Sequence, residues 1–216
     1  MFKRFIAAAV VILGLTNVAQ AQEVDRKDPY NMVEQAATIA FNHFKAQQAQ
    51  IQKNPNMLKD IVREDLLPYV DYRYASYKVI GRNLPKTSSD QRDRFVSAFK
   101  NYLVTTYAQA FTQYDNQQVE FLRDGGDNHS SKIASVKARI YAPGRPDINI
   151  TFKVRFNNKT GEWGVYDMVA EGISLLASKQ AELEGLIRQK GIDYVTDELK
   201  EKSSLDITTK KENKAA

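Results

Sequence analysis

The side chains that most often do chemistry are scarce in this chain. It has no cysteine and only two histidines, His43 and His129. Without cysteine, disulfides, thiolate zinc sites, iron–sulfur clusters and cysteine nucleophiles are excluded. His43 stands among alanines and glutamines on a helical stretch, the setting of a surface or capping residue. His129 lies beside a glycine-rich turn and reads as loop. Asp124 and Asp127 share that turn, which suits turn formation and not the opposed cleft walls that glycoside hydrolysis requires. No G-x-S-x-G elbow, Walker A loop, dinucleotide-binding glycine fingerprint or H-E-x-x-H helix occurs. Nothing here assembles an enzyme or a metal site.

Apolar and aromatic side chains are plentiful: 43% of the 216 residues are hydrophobic, with 11 tyrosines and 10 phenylalanines. Tyr69, Tyr72, Tyr74 and Tyr77 crowd one short segment. A filled core with tyrosines at its boundary and a lined ligand cavity draw on the same residues, so composition leaves both open. The length fits one domain, large enough to bury roughly 70% of its unfolded surface without staples.

The N-terminus reads as an address. Lys3 and Arg4 precede an apolar run from Phe5 to Leu15, and Ala19-Gln20-Ala21 is a small-residue cleavage site, so residues 1–21 are read as a cleaved signal peptide. The run is too short to span about 30 Å of hydrocarbon, and Gln22 in place of cysteine leaves no lipid anchor. The mature chain then holds 195 residues, with 29 basic against 26 acidic side chains. The sequence pI is about 9.2, yet bases and acids intermingle, as in Arg63-Glu64-Asp65. With export this disfavours nucleic acid and leaves a solvated surface.

The elements follow from punctuation and period. Asp28-Pro29 starts a helix with Val33, Ala36, Ala40 and Phe44 on one stripe. Asn54-Pro55 starts a second, with Leu58, Ile61, Val62 and Leu66 on one face as far as Pro68. The tyrosine segment from Tyr69 to Ile80 ends at Gly81. Ser88 and Gln91 form a capping box ahead of the longest helix, about Ser89 to Tyr114. The period then becomes two. Val119 and Phe121 mark a first strand and Gly125 to Asn128 a turn. Ala134 to Tyr141 and Ile148 to Phe156 alternate strictly, and Glu162 to Ala170 completes the set with Trp163, Val165 and Val169 facing one way. Helical period returns from Leu175 to Gly191, and a last helix covers about Tyr194 to Lys202. The expected fold is α+β: an antiparallel curved sheet of about four strands, helices on its apolar face, cone-like with an internal cavity. Residues 22–205 form the domain and 206–216 a polar tail.

Several blocks carry a resemblance. Pro68-Tyr69-Val70-Asp71, Ala75, Val79-Ile80-Gly81, Gln91-Arg92, Phe95, Phe99 and Thr106-Tyr107-Ala108 resemble the periplasmic phospholipid-binding family called MlaC, of the toluene-tolerance type. Trp163 to Leu175 is similar to that family's W-x-x-Y-D-x-x-x-E-G-x-S signature, and Lys179-Gln180, Arg188 and Lys190 to Asp193 extend the likeness toward the C-terminus. Two departures stand out. Ser178-Lys179-Gln180-Ala181 replaces a common Tyr-Arg-x-x-Phe, and Leu84 lies where many members place an aromatic residue near the pocket mouth. The resemblance implies a periplasmic carrier of diacyl phospholipid with no cofactor and no catalytic residue. It would exchange lipid between an outer-membrane lipoprotein–porin complex and an inner-membrane ABC transporter with an MCE-family ring, maintaining outer-membrane lipid asymmetry. The competing classes are a non-catalytic periplasmic adaptor with a filled core and a binder of small hydrophobic ligands on the same fold.

On that reading the pocket wall comes from Val136, Ile140, Ile150, Phe152 and Val154, roofed by Phe95, Phe99, Leu103, Tyr74 and Val79. By parity Arg139, Lys153 and Arg155 lie on the other face, solvated or facing partners. Asp71, Asp167, Glu171 and Ser174 are read as capping or pairing groups.

Overall fold

The computed structural model describes residues 23–114, 117–123 and 131–209. The leader read over 1–21, the turn with Asp124, Asp127 and His129, and residues 210–216 lie outside the described residues.

Asp28 caps helix α1 (Pro29–Ala46), its carboxylate accepting from the Asn31 amide at 2.7 Å, with proline in the first turn. Two short helices follow, α2 (Gln48–Lys53) and α3 (Met57–Ile61). The expected regular helix up to Pro68 does not persist: the chain widens into a π turn over Val62–Leu66 and tightens into a 3-10 turn over Leu67–Tyr69. Pro68 offers no N–H to the turn behind it, so the regular ladder has to change pitch before that residue. Asp71 caps α4 (Tyr72–Ile80), and Gly81 ends it at φ 58°. Both halves of the Ser88–Gln91 capping box are formed, and α5 (Ser89–Phe111) runs behind it. After the strands, Ser174 caps α6 (Leu175–Lys190), and α7 (Ile192–Ser204) begins beyond Gly191.

The sheet is an antiparallel meander in the order β1 (Gln118–Leu122), β2 (Ile133–Tyr141), β3 (Ile148–Asn157), β4 (Glu162–Ala170) and β5 (Ile173–Ser174). The fifth strand, two residues long, adds to the expected four. Another correction concerns β4. Lys153 pairs with Asp167 and Val154 with Val165, so Tyr166 is an extra residue and β4 is bulged there. The bulge shifts the alternation: Trp163 and Val165 share the inner face with Met168, opposite Phe152, while Val169 turns to the other side with Thr151. A bulge of this kind also bends its strand, which curves the sheet toward the helices.

Three apolar clusters hold the layers. The first half of α1 presses Met32 and Val33 onto Val136, Val154 and Trp163 of the sheet. Its second half packs Ala40 and Phe44 with α3 and α5. Phe95 and Phe99 of α5 join α4, α6 and α7 in the largest cluster. Ile207, in the segment read as the start of a polar tail, is 3% exposed and packs into the α1–α3–α5 cluster. Its amide donates to the Asn56 side chain at 3.0 Å.

The outer edge of β4 is finished piecewise. The Trp163 amide donates to the Arg26 carbonyl at 2.9 Å, the Asp71 amide donates to the Val165 carbonyl at 2.7 Å, and β5 pairs with Val169 and Ala170. Gly164 lets Asp71 come this close, since a Cβ there would lie 3.3 Å from the Asp71 Cβ. Gly164→Val is therefore expected to lift the start of α4 from β4 and to lower stability by about 1–3 kcal/mol. Urea unfolding of the purified variant checks this, and an unchanged midpoint would contradict the close-approach account.

Candidate functional site

Between the sheet and helices α1 and α5 lies a cavity of about 370 Å³, within the range of roughly 300–1,000 Å³ usual for ligand pockets. Helix α1 contributes Val33, Ala36, Ala37, Ala40 and Phe41, and α5 contributes Tyr107, Ala110 and Phe111. The sheet contributes Ala138, Ile140, Ile150, Phe152 and Met168, with Val119 and Phe121 from β1. Leu66 of the π turn, together with Tyr69 and Val70, closes one corner. The space exists because side chains shorten. Where α1 carries Met32 and Val33 it reaches the sheet, and where it carries alanines it does not.

The open end lies past α5, where Gln113 is exposed and Ile148 is 44% exposed. Gln113 and Gln117 supply polar atoms there, and no described residue lining the cavity is charged. Phe41 and Phe44 bracket this end with Tyr114, at ring-centroid distances of 5.3 and 5.2 Å. The site can thus take a long apolar ligand inside and leave a polar group at the amide-bearing mouth.

The residues singled out from sequence separate into three groups. Ile140, Ile150 and Phe152 line the cavity. Phe99 and Leu103 line a smaller neighbouring hollow instead. The other five do not reach either space. Val136 and Val154 share the inner face but lie under the first turns of α1, packed with Met32 and Trp163. Phe95 of α5 and Val79 of α4 are fully buried in the cluster where these helices meet α6 and α7, on the side of α5 that faces helices and not the sheet. Tyr74 points away, edge-on to Tyr166 at 5.2 Å and under the Arg155 guanidinium at 4.4 Å. Leu84 packs against the helical cluster, not at the mouth. The residues missed are the alanines of α1 and the last turns of α5. A run of small residues on a stripe facing aromatics was the signal available for them.

The charged groups are structural. Asp71 accepts from the Tyr74 amide at 3.0 Å and pairs with Arg155, so Arg155 is not the solvated or partner-facing cation expected. Arg139 keeps to the exposed face expected of it, where it pairs with Glu120 and Asp147. Lys153 donates to the Ser135 hydroxyl at 2.9 Å. Asp167 accepts from the Ser174 hydroxyl at 2.7 Å and the Leu176 amide at 3.0 Å, fastening the start of α6 to β4. Glu171 takes a left-handed φ of 47° and accepts from the Asn149 amide. His43 lies 2.7 Å from Asp65 through Nδ1 and 2.6 Å from the Gln47 amide through Nε2, tying α1 to the π turn.

A curved sheet and helices around an apolar hollow define a ligand-sequestering α+β protein. The chain belongs to the MlaC family, whose model, described as MlaC protein, matches residues 34–201. It is similar to an intermembrane phospholipid transport system binding protein MlaC of Haemophilus influenzae, 39% identical over 183 residues that cover 83% of this chain and 84% of the relative. A toluene tolerance protein, ttg2D, of Pseudomonas putida is 27% identical over 70% of this chain and 69% of its own. The fold is shared with a phospholipid-binding protein from Ralstonia solanacearum solved in complex with a phospholipid, at a TM-score of 0.71 and 19% identity, over 82% of this chain and 97% of that one. In the family signature as it stands here, Trp163 is core, Gly164 admits Asp71, Tyr166 makes the bulge, and Asp167 and Ser174 start α6.

Tyr107 gives a measurable handle on the cavity. Burial, with smaller contributions from Asp167 and Tyr102, pushes its hydroxyl from 10.0 up to about 12. The unfolded chain ionises this phenol near the ordinary value and the folded chain resists, so its stabilising share is intact below pH 10.0 and lost between there and about 12. Tyr107→Phe should lose less stability than the parent across that window in urea melts. Parallel alkaline losses in the two proteins would place the hydroxyl in water.

Proposed function

We propose that this chain is a phospholipid carrier that holds the acyl chains of one diacyl lipid in the cavity and leaves the head group at the mouth. The observation that carries the reading is the apolar cavity of about 370 Å³ with amides and no charge in its described lining. A filled-core adaptor would lack that space. Membership of the MlaC family and the names of its relatives point the same way. The leader-like N-terminus supports a periplasmic address. In that compartment the carrier would load from and deliver to an inner-membrane ABC transporter with an MCE-family ring and an outer-membrane lipoprotein–porin complex.

The energetics suit a shuttle. Sheltering two chains of about 15 carbons at roughly 0.8 kcal/mol per methylene amounts to something like 24 kcal/mol relative to water. The lipid comes from another apolar environment, so the net transfer is near zero and loading is reversible. Direction then has to come from partners. Moving a lipid makes and breaks no bond, so the carrier needs no catalytic group.

Mass spectrometry of the mature protein, purified without detergent and compared in native and denaturing conditions, tests the reading. About one phospholipid per chain is expected. A protein that carries none and takes none from liposomes would overturn it. Phe152→Glu places a charge against hydrocarbon at a cost of several kcal/mol, and the folded variant is expected to purify without lipid. Normal lipid content in that variant would rule out the sheet wall as the binding surface.

A further inference from the structure

A smaller hollow, about 80 Å³, lies off the outer edge of β4. That edge is covered at Trp163 by Arg26, at Val165 by Asp71 and at Val169 and Ala170 by β5. The hollow occupies the stretch left between them, Tyr166 to Met168. Ala75, Phe99, Leu103 and Leu176 make its wall mostly apolar, and Asp167, which also lines it, has its carboxylate bonded to Ser174 and the Leu176 amide. Lys179 stands at its rim with the half-exposed Leu175, and its ammonium is engaged by Glu182.

Four residues, Val70, Tyr107, Val165 and Met168, line this hollow and the large cavity alike. The two spaces are therefore divided by a single layer of side chains. Val70 and Val165 are fixed by the backbone bridge between them. The other two are not. Met168 is an unbranched, adaptable thioether, and the Tyr107 hydroxyl makes no hydrogen bond among the described residues. The partition also stands at the deep end. The mouth is at Gln113 and Ile148, whereas Met168 lies beside Phe152 on the sheet floor.

We propose that this hollow is an annex for the tips of acyl chains, entered when Tyr107 and Met168 rotate, and that it sets how long a chain the protein carries. The proposal rests on the carrier reading. A tip that finds no apolar wall stays in water and weakens binding by roughly fourfold per methylene. With the annex open, the last methylenes of a long chain are sheltered; with it blocked, long chains lose to short ones.

The test offers the full mature protein vesicles containing equal amounts of dimyristoyl- and dioleoyl-phosphatidylglycerol and identifies the bound lipid by mass spectrometry. Leu103→Trp fills the annex without touching the cavity, and Thr106→Trp does the same from an exposed position on α5 should the first variant fail to fold. Filling should keep total loading and lower the ratio of long to short lipid by at least the roughly fourfold that one methylene is worth. Tyr107→Ala removes half of the movable partition and should raise the ratio. An unchanged ratio in fully loaded filling and opening variants overturns the annex. A wild-type protein that takes up neither lipid overturns the carrier reading itself, and is recognised before any variant is compared.

Discussion

An apolar cavity tends to close, because its walls gain by touching. It stays open only if the layers on either side are held apart by contacts outside it, and the rest of this structure depends on that constraint. Asp71 meets it on one side. Its backbone bonds to β4, its carboxylate caps α4, and the same carboxylate pairs with Arg155 of β3. Helix and sheet are thereby fastened at their border. On the other side Met32 and Trp163 pack the first turns of α1 directly against the strands. Between the two fastenings the alanines of α1 face the sheet and leave room.

The polar part of the family signature is best understood as joinery. Asp167 and Ser174 bond to each other and to the first turn of α6, while Glu171 accepts from the Asn149 amide of β3. The lipophilic surface is built from residue types found in any core. This division explains why a carrier can lack chemical groups in its site and still carry a recognisable sequence. The exacting geometry lies in what keeps the walls apart, and the walls themselves need only resemble hydrocarbon.

Much of the fold was legible. Capping residues such as Asp28, Ser88 and Ser174 act locally, and the alternation of β2 and β3 is dictated by one dry and one wet face. What escaped depended on distant partners. The bulge at Tyr166 leaves no mark on β4 alone, since it is defined by register against β3. The two-residue β5 is too short to show a period. Of the ten residues proposed for the site, Ile140, Ile150 and Phe152 line the cavity because strand parity is reliable next to it. Phe95 does not, because α5 has apolar residues on two sides and sequence does not say which side meets helices, and Val79 does not, because α4 buries it in the same helical cluster. Alanine was overlooked as a wall residue because its contribution is the space it leaves.

The docking of Ile207 has a consequence for how the molecule assembles. It packs among Leu58, Ile61 and Val104, and α7 beside it completes the cluster around Phe95 and Phe99. Partners so far apart along the chain must be brought together before the helical layer has a core, and such closure is slow. The early helices on their own would expose Leu58, Phe95 and Phe99 to water. Until α7 and the segment that carries Ile207 are in place, the helical layer is therefore without its core.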